Sequence, residues 1–144
     1  MEKVEIEYKI SEAASKLGIS IHTIRMYEKE GLILPHKSIT NQRIYTEEDI
    51  HRIQCIRRAI NESKISIRGL KTLYSLIPCW EIVQCSEEDR RVCPAYTSVT
   101  KPCWISKGKT TSCAKKDCRN CEVYKSLSDC NRIKDAIKKV RSVR

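Results

Sequence analysis

The feature that most constrains this chain is the stretch 10–29, whose spacings fit two short helices joined by a tight turn. A small residue at Ala14 lets two helices approach closely, Gly18 supplies the positive φ of the turn, and Ile24 points the second helix into a small core. Ser11 is a cap for a first helix to about Leu17. Ser20 caps a second from Ile21 to about Glu30, where Gly31 ends it. This is a helix-turn-helix pattern, and the second helix is its recognition helix.

Beyond Gly31 an extended segment with a polar middle between apolar ends, up to Tyr45, predicts a β-hairpin wing. Thr46 with Asp49 makes a capping box for a third helix to about Glu62, with Ile50, Ile53 and Ile60 on its inner face. Ser66 opens a fourth, with Leu70, Leu73 and Ile77 inward, and Pro78 limits its extension. From Cys79 to Cys130 the apolar periodicity fades, cysteines recur at short intervals, and Pro94, Pro102 and Gly108 interrupt regular structure. This stretch lacks the aliphatic residues of a normal core. A last helix is expected from about Ser126 to Arg144, with Leu127, Ile133, Ile137 and Val140 on a face that must bury against the cysteine stretch or a second subunit. The expected fold is mainly α: a winged helix-turn-helix over 1–77, an irregular Cys-rich metal-binding module over 78–125 and a basic amphipathic helix over 126–144. The core before Pro78 is expected to use neither Cys118 nor Cys121, so that it stays folded when either is replaced.

Lysine and arginine number 28 against 18 acidic residues, a net charge of +10, which points to a polyanionic partner such as nucleic acid. The excess is greater in the second half, and Arg132, Lys134, Lys138, Lys139, Arg141 and Arg144 crowd the end against Asp135. That basic face is either a phosphate-contacting surface or a solvated helix face. No apolar run approaches the length of a membrane span, and the first residues contain no hydrophobic signal core, so a cytoplasmic protein is expected. In a reducing compartment, nine cysteines, an odd number, favour metal ligation over a disulfide framework.

Residues 8–19, 23–33, 41–45 and 46–50, taken in that order, resemble the mercury-resistance regulator (MerR) family over roughly 8–77. Arg25, Met26, Tyr27 and Glu28 together are similar to that family's heat-shock-repressor branch. The resemblance implies a winged-helix domain that binds double-stranded DNA as a homodimer on an inverted repeat, with the second helix in the major groove, and RNA polymerase as a further partner at the promoter. His22, Thr23 and Arg25 lie at the start of that helix, where donors meet base edges and phosphates. Ser11 and Ser20 complete the DNA-side set at the helix starts. By the same matching, Tyr27, Arg43 and Tyr45 contact or position the DNA backbone, Arg43 from the wing. For Tyr27 and Tyr45, packing of the wing against the helix is the alternative. His36 stands where the family often has a basic residue after the wing's proline. The family's long dimerisation helix is interrupted here by Pro78 and the cysteines.

The candidate metal ligands are Cys79, Cys85, Cys93, Cys103, Cys113, Cys118 and Cys121. With the doublets Cys79-Trp80 and Cys103-Trp104, they resemble the two-CW cysteine modules attached to bacterial signalling and regulatory proteins. Cys130 and Cys55 fall outside that pattern, and Cys55 reads as a buried thiol. Cys118 and Cys121 form a Cys-x-x-Cys pair able to bind one metal from both sulfurs. His22, His36 and His51 all lie in the first half, so an all-sulfur site follows. It suits structural zinc or an iron–sulfur cluster, with thiols that oxidise to disulfides as a third possibility.

The leading reading is a dimeric transcriptional regulator whose Cys-rich module senses metal or redox state. A rival keeps the DNA binding but makes the module a zinc-stapled docking domain. A redox enzyme or electron carrier is a third, and no paired carboxylates, nucleophile–base set or phosphate-cradling glycine loop supports an enzyme.

Overall fold

The computed structural model describes residues 6–83, 85–108, 111, 113, 114 and 117–127. The expected helical stripe through Ile133, Ile137 and Val140, the basic cluster after Arg132, and Cys130 lie outside the described residues.

The head follows the expected order. Strand β1 (Tyr8–Lys9) leads into α1 (Ile10–Leu17) and α2 (Ile21–Lys29). Ala13 and Ala14 are buried where α1 meets α2, and Gly18 turns the chain at φ +68°. Ser20 caps α2, accepting from the Thr23 N–H at 3.1 Å. Ser11 lies inside α1 rather than at its cap. Lys9 takes the N-cap position, its N–H donating to the Glu12 carboxylate at 3.0 Å, because the preceding strand already fixes that backbone as extended. Strands β2 (His36–Lys37) and β3 (Arg43–Tyr45) form the wing. The antiparallel sheet has the order β1-β3-β2, Tyr8 facing Tyr45 and Lys37 facing Arg43.

Thr46 and Asp49 form the capping box of α3 (Glu47–Asn61). Its buried stripe is Ile50, Ile53 and Ile56, with Ile60 only partly covered. Ser66 caps α4 (Ile67–Ser75), which buries Leu70 and Tyr74 and is followed by buried Ile77. Leu73, expected to point inward, is 48% exposed, since Leu70 and Tyr74 are four residues apart on one face and Leu73 falls beside it.

The cysteine stretch is built of single turns: α5 (Cys79–Ile82), α6 (Glu87–Val92), α7 (Pro94–Thr97), α8 (Cys103–Ser106), a 3₁₀ turn (Cys118–Asn120) and α9 (Glu122–Lys125). Both Cys-Trp doublets start a helix whose N-cap is a proline, Pro78 and Pro102. The stretch is indeed too poor in aliphatics to bury itself. It adds Trp104, Val123, Tyr124 and Leu127 to the same core as Ile24, Leu32, Ile53 and Tyr74. The described residues of head and module therefore share one core, and Cys118 and Cys121, expected to have no part in the core before Pro78, pack against it. Cys55 on α3 is half-buried and disulfide-bonded, not the buried thiol expected.

Candidate functional site

Among the described residues, one face of the head is left uncovered by the module. On α2, His22, Arg25 and Lys29 are exposed at helical spacing, and Thr23 is half-exposed beside them. Ser20 and Thr23 are joined through their hydroxyls at 2.9 Å, so the Ser20 side chain serves the helix start. Ser11 is exposed on α1. Tyr27 and Tyr45 are 1% and 2% exposed, which is the packing arrangement.

Glu28, which the sequence offers only as part of the Arg25–Glu28 motif and with no role of its own, explains that packing. Its carboxylate accepts from Arg43 Nε at 2.8 Å and from the Tyr45 hydroxyl at 2.6 Å, tying the wing to the recognition helix. Burial, then the hydrogen bond to Glu28, push the Tyr45 phenol well above its ordinary value, so it remains a donor. Arg43 is partly exposed at the wing's edge while held by Glu28, a pose that leaves guanidinium N–H groups for a phosphate.

All seven cysteines of the module line one cavity of about 40 Å³, against the ~10–15 Å³ that one water needs. None of the seven is in a disulfide. The Cys79 and Cys103 thiols are hydrogen-bonded to each other. That bond holds the Cys79 thiol below its ordinary value, aided by backbone N–H groups and the Arg90 charge against burial. The same bond pushes Cys103 up, followed by burial and the nearby Cys79, Cys121 and Cys118. Lys107 Nζ donates to Cys118 Sγ at 3.4 Å, and the Arg90 guanidinium is hydrogen-bonded to Cys85. Cations thus stand beside two of the sulfurs. Trp80 closes one wall edge-on against Tyr96, with ring centroids 5.0 Å apart.

A donor set of seven sulfurs with no imidazole is chemically suited to zinc or to iron–sulfur ligation. Among the described residues no three His, Cys, Asp or Glu side chains are arranged to hold a metal ion as they stand. The cavity gathers the thiols without drawing them into a ligand cage.

The cavity backs directly onto the head. Asp49, which caps α3, receives both arms of Arg119 at 3.0 Å each. Arg52 of α3 is 1% exposed, with its guanidinium 3.7 Å from the Tyr124 ring centroid and 5.1 Å from that of Trp104. Neither arginine carried a signal in a head-only reading, because both act across the boundary near Pro78.

A family model described as MerR HTH family regulatory protein matches residues 8–76. Those residues are a MerR-type helix-turn-helix domain. The chain is 39% identical over 64 residues to an uncharacterized HTH-type transcriptional regulator of Bacillus subtilis, covering 44% of this chain and 46% of that protein. It is 47% identical over 53 residues to a probable heavy metal-dependent transcriptional regulator of Haemophilus influenzae, 36% of this chain and 41% of that one. A putative heat shock protein of Streptomyces coelicolor is 29% identical over 69 residues, 48% of this chain and 46% of the other. The chain spans about half the length, or less, of these curated relatives. No solved structure matches it. The MerR-type match ends before Cys79, so the cysteine cavity is an addition to the matched domain. No described helix is long and apolar enough to cross a membrane.

Proposed function

We propose that the protein is a DNA-binding transcriptional regulator, with the head over 1–77, a thiolate-ligating module over 78–125 and a basic segment over 126–144. In this reading it acts as a homodimer on an inverted-repeat operator in the cytoplasm. The cysteine cavity holds a metal or iron–sulfur centre, and its metal or redox state changes how the head meets DNA. The observation that carries the reading is the convergence of seven cysteines on one cavity built against the head's own core. The relatives described as heavy metal-dependent regulators support a metal-linked signal.

Within that mechanism, Arg25, His22 and Lys29 present donors from one face of α2, as major-groove reading needs, and Arg43 supplies a phosphate contact from the wing. Glu28 keeps helix and wing as one body. Cys79, Cys85, Cys93, Cys103, Cys113, Cys118 and Cys121 are the ligand pool, with Lys107 and Arg90 offsetting thiolate charge. A bound centre would supply the closing force on the thiols and a redox or metal-exchange handle.

The test is to purify the protein without oxygen, measure metal and inorganic sulfide per chain, and titrate operator DNA with loaded, chelator-stripped and oxidised protein. The expected result is a stoichiometric centre, coloured for iron–sulfur or colourless for zinc, and different DNA affinities among the three forms. Identical affinities would remove the sensing role.

A further inference from the structure

The backbone strip 31–34 joins the recognition helix to the wing, and several of its polar groups are held by side chains rather than by a helix or sheet. Trp104 Nε1–H donates to the Gly31 carbonyl at 2.8 Å. The Leu34 N–H donates to the Tyr124 hydroxyl at 2.9 Å, and Arg119 Nη1 donates to the Leu34 carbonyl at 2.7 Å. Arg52 Nε donates to the Leu32 carbonyl at 3.1 Å while its Nη1 donates to the Tyr124 carbonyl at 2.8 Å. Trp104 follows Cys103 directly, Arg119 follows Cys118, and Tyr124 sits in the turn whose N-cap is Cys121. Three cavity cysteines are therefore within three residues of a side chain gripping the strip.

We propose that these contacts are the route by which the cysteine cavity controls the DNA-binding head, with Arg119 and Trp104 as the positioning residues. The inference rests on the regulatory reading above. When Cys103 or Cys118 moves inward, the adjacent side chain is drawn along. The polar groups it holds are buried or half-buried, so parting them leaves groups unpaired, and the strip follows instead. At Gly31, φ +77°, the Ile105 side chain of α8 lies where a Cβ would meet it at 2.9 Å, so the module packs closely on the strip's first residue. Arg119 couples a second element, since its grip on both oxygens of Asp49 bears on the start of α3. Glu28 makes helix and wing one body, so a displaced strip changes the angle at which both approach DNA.

The test uses the full chain carrying Arg119→Lys or Trp104→Phe. Arg119→Lys keeps the charge but cannot bridge Leu34 and both Asp49 oxygens, and Trp104→Phe keeps a ring but lacks the indole N–H. Metal per chain is measured, and operator affinity is compared between loaded and stripped protein at fixed salt. The wild-type ratio of the two affinities, in whichever direction, should be on the order of 5–150-fold. Both variants should keep the metal content of the wild type while the ratio falls to about one. A purely structural role would weaken both forms alike and leave the ratio intact, which would overturn the route. Loss of metal from both variants would also overturn it, by making these residues part of the site's own fold. A wild type that holds no metal, or shows no ratio, would defeat the regulatory reading first and the route with it.

Discussion

Arg25 sits in the middle of the exposed face of α2 and makes no hydrogen bond or ion pair among the described residues. Its side chain is therefore available to a base edge without first being released from the protein. Arg25→Ala should weaken operator binding by roughly 1–3 kcal/mol if the contact is to a base, and relax selectivity at that position. Fluorescence anisotropy on operator and scrambled duplexes measures both effects, and wild-type affinity with folding intact would place the reading surface elsewhere. Arg52 is the opposite case, a guanidinium with almost no access to water. It faces three aromatic rings, and its Nη2 has no hydrogen-bond partner. Arg52→Met keeps the length but strips the donors from the Leu32 and Tyr124 carbonyls. Two buried acceptors left unpaired should cost about 2–5 kcal/mol, read as a lower denaturant midpoint in urea. The sequence disclosed Arg25 because a helix-turn-helix defines its own outer face. It gave no hint of Arg52, whose partners lie in a segment that local patterning leaves unconnected to α3.

At the scale of elements, legibility followed the locality of the interactions. The caps at Ser20, Thr46 and Ser66 are decided within four residues, and the structure has them where the sequence predicts. β1 escaped notice because two residues carry no periodicity and the strand exists only by pairing with β3. The repeated Pro-Cys-Trp at 78–80 and 102–104 was a readable signal of two matching turns, each started by proline. The two positive-φ glycines of the head allow a direct comparison. At Gly18 a Cβ meets nothing within 4 Å, so Gly18→Ala should cost only the left-handed strain, about 1 kcal/mol. At Gly31 the same strain is joined by collision with Ile105. Gly31→Ala should lose at least twice as much stability as Gly18→Ala, and Gly31→Ala with Ile105→Ala should recover part of the difference. Equal losses in the two single variants would mean that α8 does not press on the end of the recognition helix.

For the molecule as a whole, the decisive fact is that head and module share one core, although the sequence changes character near Pro78. Pattern reading separates the halves because their compositions differ, whereas burial joins them because a segment poor in aliphatics must cover its aromatic residues on something else. Far-UV circular dichroism reports mainly the helices of the head, while tryptophan emission reports the module and its seam with the head, since Trp80 and Trp104 are the two tryptophans of the chain and Trp104 packs on the head's core. If the core is continuous, the two signals should fall at the same urea concentration and with the same slope, as one two-state transition. A ligand that binds only the folded module must then stabilise the head equally, so removing the proposed centre with a chelator should lower both midpoints together. Emission that changes at clearly lower urea than the helical signal would instead show a head that folds alone. In that case Trp104, Val123, Tyr124 and Leu127 would be a detachable cover, and the strip 31–34 would lose Trp104, Arg119 and Tyr124 as partners each time the module opened, keeping only Arg52.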